Sequence, residues 1–126
     1  MNNKRRLERV SSLLKKEISI IILNDLDDNF ILENFVSVTK IELSGDLQHS
    51  KVFISASAEE KIKKSIIENL NSKKNKIRFL LSQRVEMRRI PDLVFKIDRV
   101  LDEGIAVLRV LDKLRKKNDQ KNEDSK

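Results

Sequence analysis

Between Ser72 and Arg84 the chain reads SKKNKIRFLLSQR. Lysine and arginine at this density are suited to binding phosphate. A lysine ammonium offers a point charge, and an arginine guanidinium can grip two oxygens at once. Lys73, Lys74, Lys76, Arg78 and Arg84 lie in the stretch, with Asn75 among them, and Arg88 and Arg89 follow. Over residues 61–89, ten basic side chains oppose only Glu68 and Glu86, a net +8 that exceeds the +7 of the whole chain. Residues 1–23 are net +4 and include Arg6 and Arg9, whereas residues 24–58 are net −4. Such polarity points to a polyanionic partner. From charge alone, a solvated lysine-rich surface explains the pattern equally well.

Other chemistries find little support. One histidine and no cysteine exclude the usual zinc sites, thiolate catalysis and disulfides. There is no G-x-x-x-x-G-K phosphate loop in a chain with two glycines. His49 has no nucleophile or orienting partner in reach of the sequence pattern and reads as a surface residue. Asp25, Asp27 and Asp28 lack the spacing of a calcium loop and read as a solvated acidic turn. No catalytic residue, metal site or cofactor is therefore expected. Of five phenylalanines, Phe53, Phe79 and Phe95 fall in predicted strands or helices and are expected in the core. A base-stacking platform of the kind used by RNA-recognition sheets would need several exposed aromatics on one face.

The elements that must position the cations follow from apolar spacing. Leu7, Val10, Leu14, Ile18 and Ile21 predict a helix over 4–24, with DLDDNF after it as a polar turn. Residues 35–44 and 50–56 predict two strands joined by a turn at Gly45 and Asp46, close enough for an antiparallel hairpin. Ser57 and Glu60 have the spacing of a capping box. Ile62, Ile66, Ile67 and Leu70 predict a helix over 58–71, and Ile77, Leu80 and Leu81 a second over 75–86. Between them the apolar phase breaks at Lys73 and Lys74. Asn75, which tolerates the left-handed conformation, is the expected joint. Pro91 prepares a strand with Leu93, Phe95 and Ile97 on one face. Asp98 would cap a last helix through Leu101, Ile105, Leu108 and Leu111. The expectation is a single α+β domain over 1–114, a three-stranded sheet with helices on one face, and a disordered charged tail over 115–126. No apolar run reaches the ~20 residues of a membrane helix, and MNNKRRLERV lacks the apolar core of a secretory signal. A cytoplasmic protein is expected.

Four stretches together carry a family resemblance. They are Arg6-Leu7-Glu8-Arg9-Val10, the run from Phe35 to Leu47, Ser50-Lys51-Val52-Phe53-Ile54, and Met87-Arg88-Arg89-Ile90-Pro91-Asp92-Leu93-Val94-Phe95-Lys96-Ile97-Asp98. In that order, from about Arg6 to Leu114, the chain resembles the bacterial ribosome-binding factor A family. The last stretch is the most specific, with Pro, Leu, Phe and Asp at fixed spacing. Two family features are absent: the A-x-G kink is replaced by Lys73-Lys74-Asn75, and the proline of D-P-R-L by Asn29 in Asp28-Asn29-Phe30-Ile31.

The resemblance implies a KH-like domain of α-β-β-α-kink-α-β order with a C-terminal helix. It implies a non-enzymatic assembly factor, linked to growth in the cold, that binds the free small ribosomal subunit. Such a factor assists late maturation of 16S rRNA, including its 5′ end. Lys73, Lys74, Asn75, Lys76, Arg78, Arg84, Arg88 and Arg89 would then meet RNA phosphates, with Arg6 and Arg9 extending the surface of a monomer. A general RNA- or DNA-binding module would use the same cations.

Overall fold

Alternation of apolar residues gives the sheet one buried face. Val38 of β1 (Ser37–Leu43), Val52 and Ile54 of β2 (His49–Ser55), and Leu93, Phe95 and Ile97 of β3 (Asp92–Ile97) all point to the core. The computed structural model describes residues 2–100 and Leu114. The predicted last helix around Leu101, Ile105, Leu108 and Leu111 and the tail 115–126 lie outside the described residues. The strand order is β1-β2-β3, with β1 antiparallel and β3 parallel to β2. The helices supply the opposing apolar surface through Leu14, Ile18, Ile66, Leu70, Ile77 and Leu81, each fully buried in the same cluster. Through β3 the expected order of helices and strands is present, with one added short helix, and the packing is one-sided as expected.

Local differences have physical causes. Helix α1 (Asn2–Ile20) continues into a wide π-helical turn, Ile21–Asp25, where Leu26 N–H bonds to Ile21 O at 3.0 Å. That turn keeps Ile21, Ile22 and Leu26 all buried. The segment expected as a polar turn instead forms a short helix, α2 (Asn29–Glu33). Asp28 caps it by accepting from Ile31 N–H at 3.3 Å. The expected capping box is absent. Helix α3 (Glu60–Ser72) starts after Glu59 with no side-chain cap. Ser57 N–H bonds to Asn34 O at 2.8 Å, and Glu60 pairs with Arg99. Tertiary partners have displaced the local pairing that the spacing suggests. In the hairpin, Leu47 rather than Gly45 takes a positive φ, 62°, while Asp46 accepts from Ser44 Oγ and Gln48 N–H. A bulge at Thr39 lets its hydroxyl donate to the buried Asp98 at 2.6 Å.

The joint between α3 and α4 (Lys74–Ser82) differs most from expectation. It is a single residue, Lys73, at φ −101° and ψ 7°. This bridge region is sparsely populated but open to any side chain. Asn75 lies inside α4 and is not left-handed; among the described residues only Asp27, Phe35 and Leu47 have positive φ. The break therefore needs neither glycine nor asparagine.

Tertiary contacts hold it in place. Asp28 Oδ2 accepts from Asn69 Nδ2 at 3.0 Å and pairs with the Lys73 ammonium. The acidic group is thus not a uniformly solvated turn: the Asp28 side chain is only 12% exposed. Within the same last turns of α3, Asn71 meets the edge of β3 that no strand covers among the described residues. Its Oδ1 accepts from Phe95 N–H at 2.9 Å, and its Nδ2 donates to Phe95 O at 3.3 Å. One amide side chain thereby satisfies both backbone groups of an edge-strand residue.

Both contacts are open to test by substitution. Asn71→Leu keeps the volume but strands the Phe95 N–H and C=O, and should lower unfolding free energy by about 1–3 kcal/mol in urea titrations. Lys73→Met keeps the aliphatic stem but removes the only cation paired with a mostly buried carboxylate among the described residues, at a cost of about 1–2 kcal/mol. The Lys73 ammonium, foremost, holds the Asp28 carboxyl below its usual value. The stabilisation is therefore complete above the unfolded carboxyl pKa, about 4, and is lost as pH falls through the lower folded value. Stability of Lys73→Met should fall less steeply than wild type over that acid range, as read from thermal midpoints against pH.

Candidate nucleic-acid interface

The ten predicted phosphate-binding residues separate into two groups according to what their polar atoms touch. Lys73 is occupied by Asp28. Arg78 lies along α4 and turns back onto the loop before β3. Its Nη2 donates to Ile90 O at 2.8 Å, its Nη1 is 3.4 Å from Asp92 Oδ1, and its Nε is buried without a partner among the described residues. Arg84 spans from the end of α4 to α1, 2.7 Å from Glu17 Oε2 and 3.5 Å from Asp25 Oδ2. The Glu17 carboxylate pushes the already high pKa of this guanidinium further up. These three cations lie inside the sequence stretch that reads most strongly as a binding site. In the fold they join α4 to its neighbours.

The remaining seven are exposed. Lys74, Asn75 and Lys76 form the first turn of α4, directly after the joint, and the Lys73 side chain does not cap that helix. Arg88 and Arg89 are exposed on the loop that Arg78 clamps to α4 through Ile90 and Asp92. The structural arginine thus brings the loop arginines to the side of the molecule that carries α4. Arg6 and Arg9 are also exposed, but on the N-terminal half of α1. At about 1.5 Å per residue, they lie roughly 16 and 12 Å along the axis from Glu17, where Arg84 attaches. They extend the basic surface along α1 and do not join the α4 cluster.

Two aromatic placements depart from the sequence expectation. Phe95 is buried, but Phe53 is only half-buried on the sheet face turned away from the core, with the Lys40 ammonium 4.7 Å from its ring centroid. Phe79 is 61% exposed on α4. Hydrophobicity alone places it in the core, whereas helical phase carries the correct signal. Ile77 and Leu81 define the buried side, and residue 79 is turned about 200° from residue 77. His49 is exposed beside Asp92, at 3.6 Å, as a surface residue.

Comparisons with known proteins identify the family of this fold. The family model for ribosome-binding factor A matches residues 6–111. The chain is 53% identical over 126 residues to ribosome-binding factor A of Prochlorococcus marinus (strain MIT 9301), covering 100% of this chain and 97% of that one. It is similar to the crystal structure of ribosome-binding factor A from Thermus thermophilus, with TM-score 0.64 and 25% identity, covering 74% of this chain and 97% of the other. A Thermus thermophilus ribosome-binding factor A homology model, fitted into a cryo-EM map of its complex with the 30S subunit, aligns with TM-score 0.58 and 28% identity, covering 71% and 91%. A sequence match over most of the chain, joined to a shared three-stranded KH-like fold, shows that the chain belongs to the ribosome-binding factor A family.

Proposed function

We propose that this chain is a non-catalytic assembly factor. It binds the free small ribosomal subunit and assists late maturation of 16S rRNA, including processing of the 5′ end. The observation that carries the reading is the family relative fitted into a 30S complex, a likeness that extends over 71% of this chain. In this reading residues 1–114 form one RNA-binding domain, 115–126 a charged tail, and the protein acts as a cytoplasmic monomer. Among the described residues, no helix is long and apolar enough to cross a membrane.

Lys74, Lys76, Arg88 and Arg89 make the principal phosphate contacts, because their charges are not spent inside the fold. Asn75 adds an uncharged donor, and Arg6 and Arg9 lengthen the contact along α1. Lys73, Arg78 and Arg84 act indirectly, by fixing the direction of α4 and its neighbouring loop. Phosphate contacts position a protein without reading sequence. Selectivity for an immature subunit then comes from the shape of its RNA.

The reading is tested by reversing charge where it is free. Joint substitution of Lys74, Lys76, Arg88 and Arg89 by Glu should abolish co-sedimentation with free small subunits while leaving the thermal midpoint within a few degrees of wild type. Normal binding by that variant would remove α4 and its loop from the interface. With about four phosphate contacts, wild-type affinity should fall on the order of a hundredfold over a fourfold rise in salt. Competition with bulk RNA separates a ribosomal factor from a general module: equal affinity for both favours the latter.

A further inference from the structure

Phe79 is a large, exposed apolar ring within the most basic segment of the sequence. Its neighbours one turn away are Asn75 and Lys76 before it on α4, and Ser82 and the C-cap residue Gln83 after it, all exposed. The backbone beneath it is held firmly. Ile77 and Leu81 on the opposite side are fully buried, Arg78 ties the helix to Ile90, and Lys73 fixes its start. A phenylalanine in a helix has few side-chain rotamers, so the ring is presented in a nearly fixed position.

We propose that Phe79 stacks on an unpaired RNA base, with Lys74 and Lys76 holding the flanking phosphates. The inference rests on the RNA-binding reading above and specifies that the α4 surface takes a single strand. In an A-form duplex the base faces are stacked on one another and offer no surface to a ring, whereas an unpaired base does. The amides of Asn75 and Gln83 are within one helical turn, where they can meet a base edge. A second copy of this chain is a poor occupant, because apposing two Phe79 rings brings the two Lys74–Lys76 turns together. A single ring surrounded by polar side chains is also far short of the roughly 800 Å² per partner of a stable protein interface.

The chain contains no tryptophan, so Phe79→Trp introduces a sole indole at the proposed stacking position. Its fluorescence should be quenched on titration with a single-stranded oligo-uridine and unchanged by a duplex RNA of equal charge. Phe79→Ala should weaken oligo-uridine binding by about tenfold or more. It should leave duplex affinity within twofold and the salt slope unchanged, since no phosphate contact is lost. Phe79→Tyr should restore binding. Equal oligo-uridine affinity for wild type and Phe79→Ala, or an unquenched Phe79→Trp, overturns the proposal. So does a wild-type dimer that Phe79→Ala converts to monomer. Wild-type binding to small subunits without binding to oligo-uridine overturns the stacking proposal alone, whereas binding to neither overturns the RNA-binding reading with it.

Discussion

The Asp28 carboxylate fixes the geometry on which the basic surface depends. One oxygen caps α2, and the other receives both Asn69 and Lys73 from the end of α3. A mostly buried carboxylate is costly unless it is paired and hydrogen-bonded, so this site specifies its partners strongly. Those partners lie on the last turn of α3 and at the joint itself. The direction in which α4 leaves α3 is thereby tied to a residue some forty positions earlier in the chain. Every side chain projecting from the first turn of α4 takes its bearing from that contact.

The same principle separates the cations. Exposed ion pairs contribute little, because water and salt screen them and long side chains lose entropy on pairing. Partly buried pairs such as Lys73–Asp28 and Arg84–Glu17 hold elements together more firmly. A charge held in this way has little capacity left for a partner. Lys73, Arg78 and Arg84 therefore shape the surface, while Lys74, Lys76, Arg88 and Arg89 present charge on it. Along the chain the two kinds of cation are interleaved.

Asn71 solves a separate problem for the sheet. With strand order β1-β2-β3, the outer edge of β3 has no neighbouring strand among the described residues, and an unpaired edge invites association with other chains. The Asn71 amide supplies a donor and an acceptor to Phe95 in the manner of a strand backbone. The end of α3 thus anchors twice: through Asn69 and Lys73 to Asp28, and through Asn71 to β3.

Apolar periodicity by itself determined the three strands and the helices α1, α3 and α4, their order and the one-sided core, but not the short helix α2. Those depend on local spacing: alternate residues for the strands, and three- and four-residue steps for Ile66, Leu70, Ile77 and Leu81. The same spacing located the break before α4, and its phase carries the outward direction of Phe79 that hydrophobicity alone obscures. Local rules failed where distant groups competed. Ser57 and Glu60 matched a capping box, yet Asn34 and Arg99 took them. Asn75 was the better residue for a left-handed joint, but pairing with Asp28 set the break at Lys73, whose conformation requires no special residue. Which cations face solvent was likewise decided by tertiary structure. Lys73 and Lys74 are alike in sequence, but only Lys73 reaches Asp28, and a carboxylate brought close by folding is invisible to charge counting along the chain.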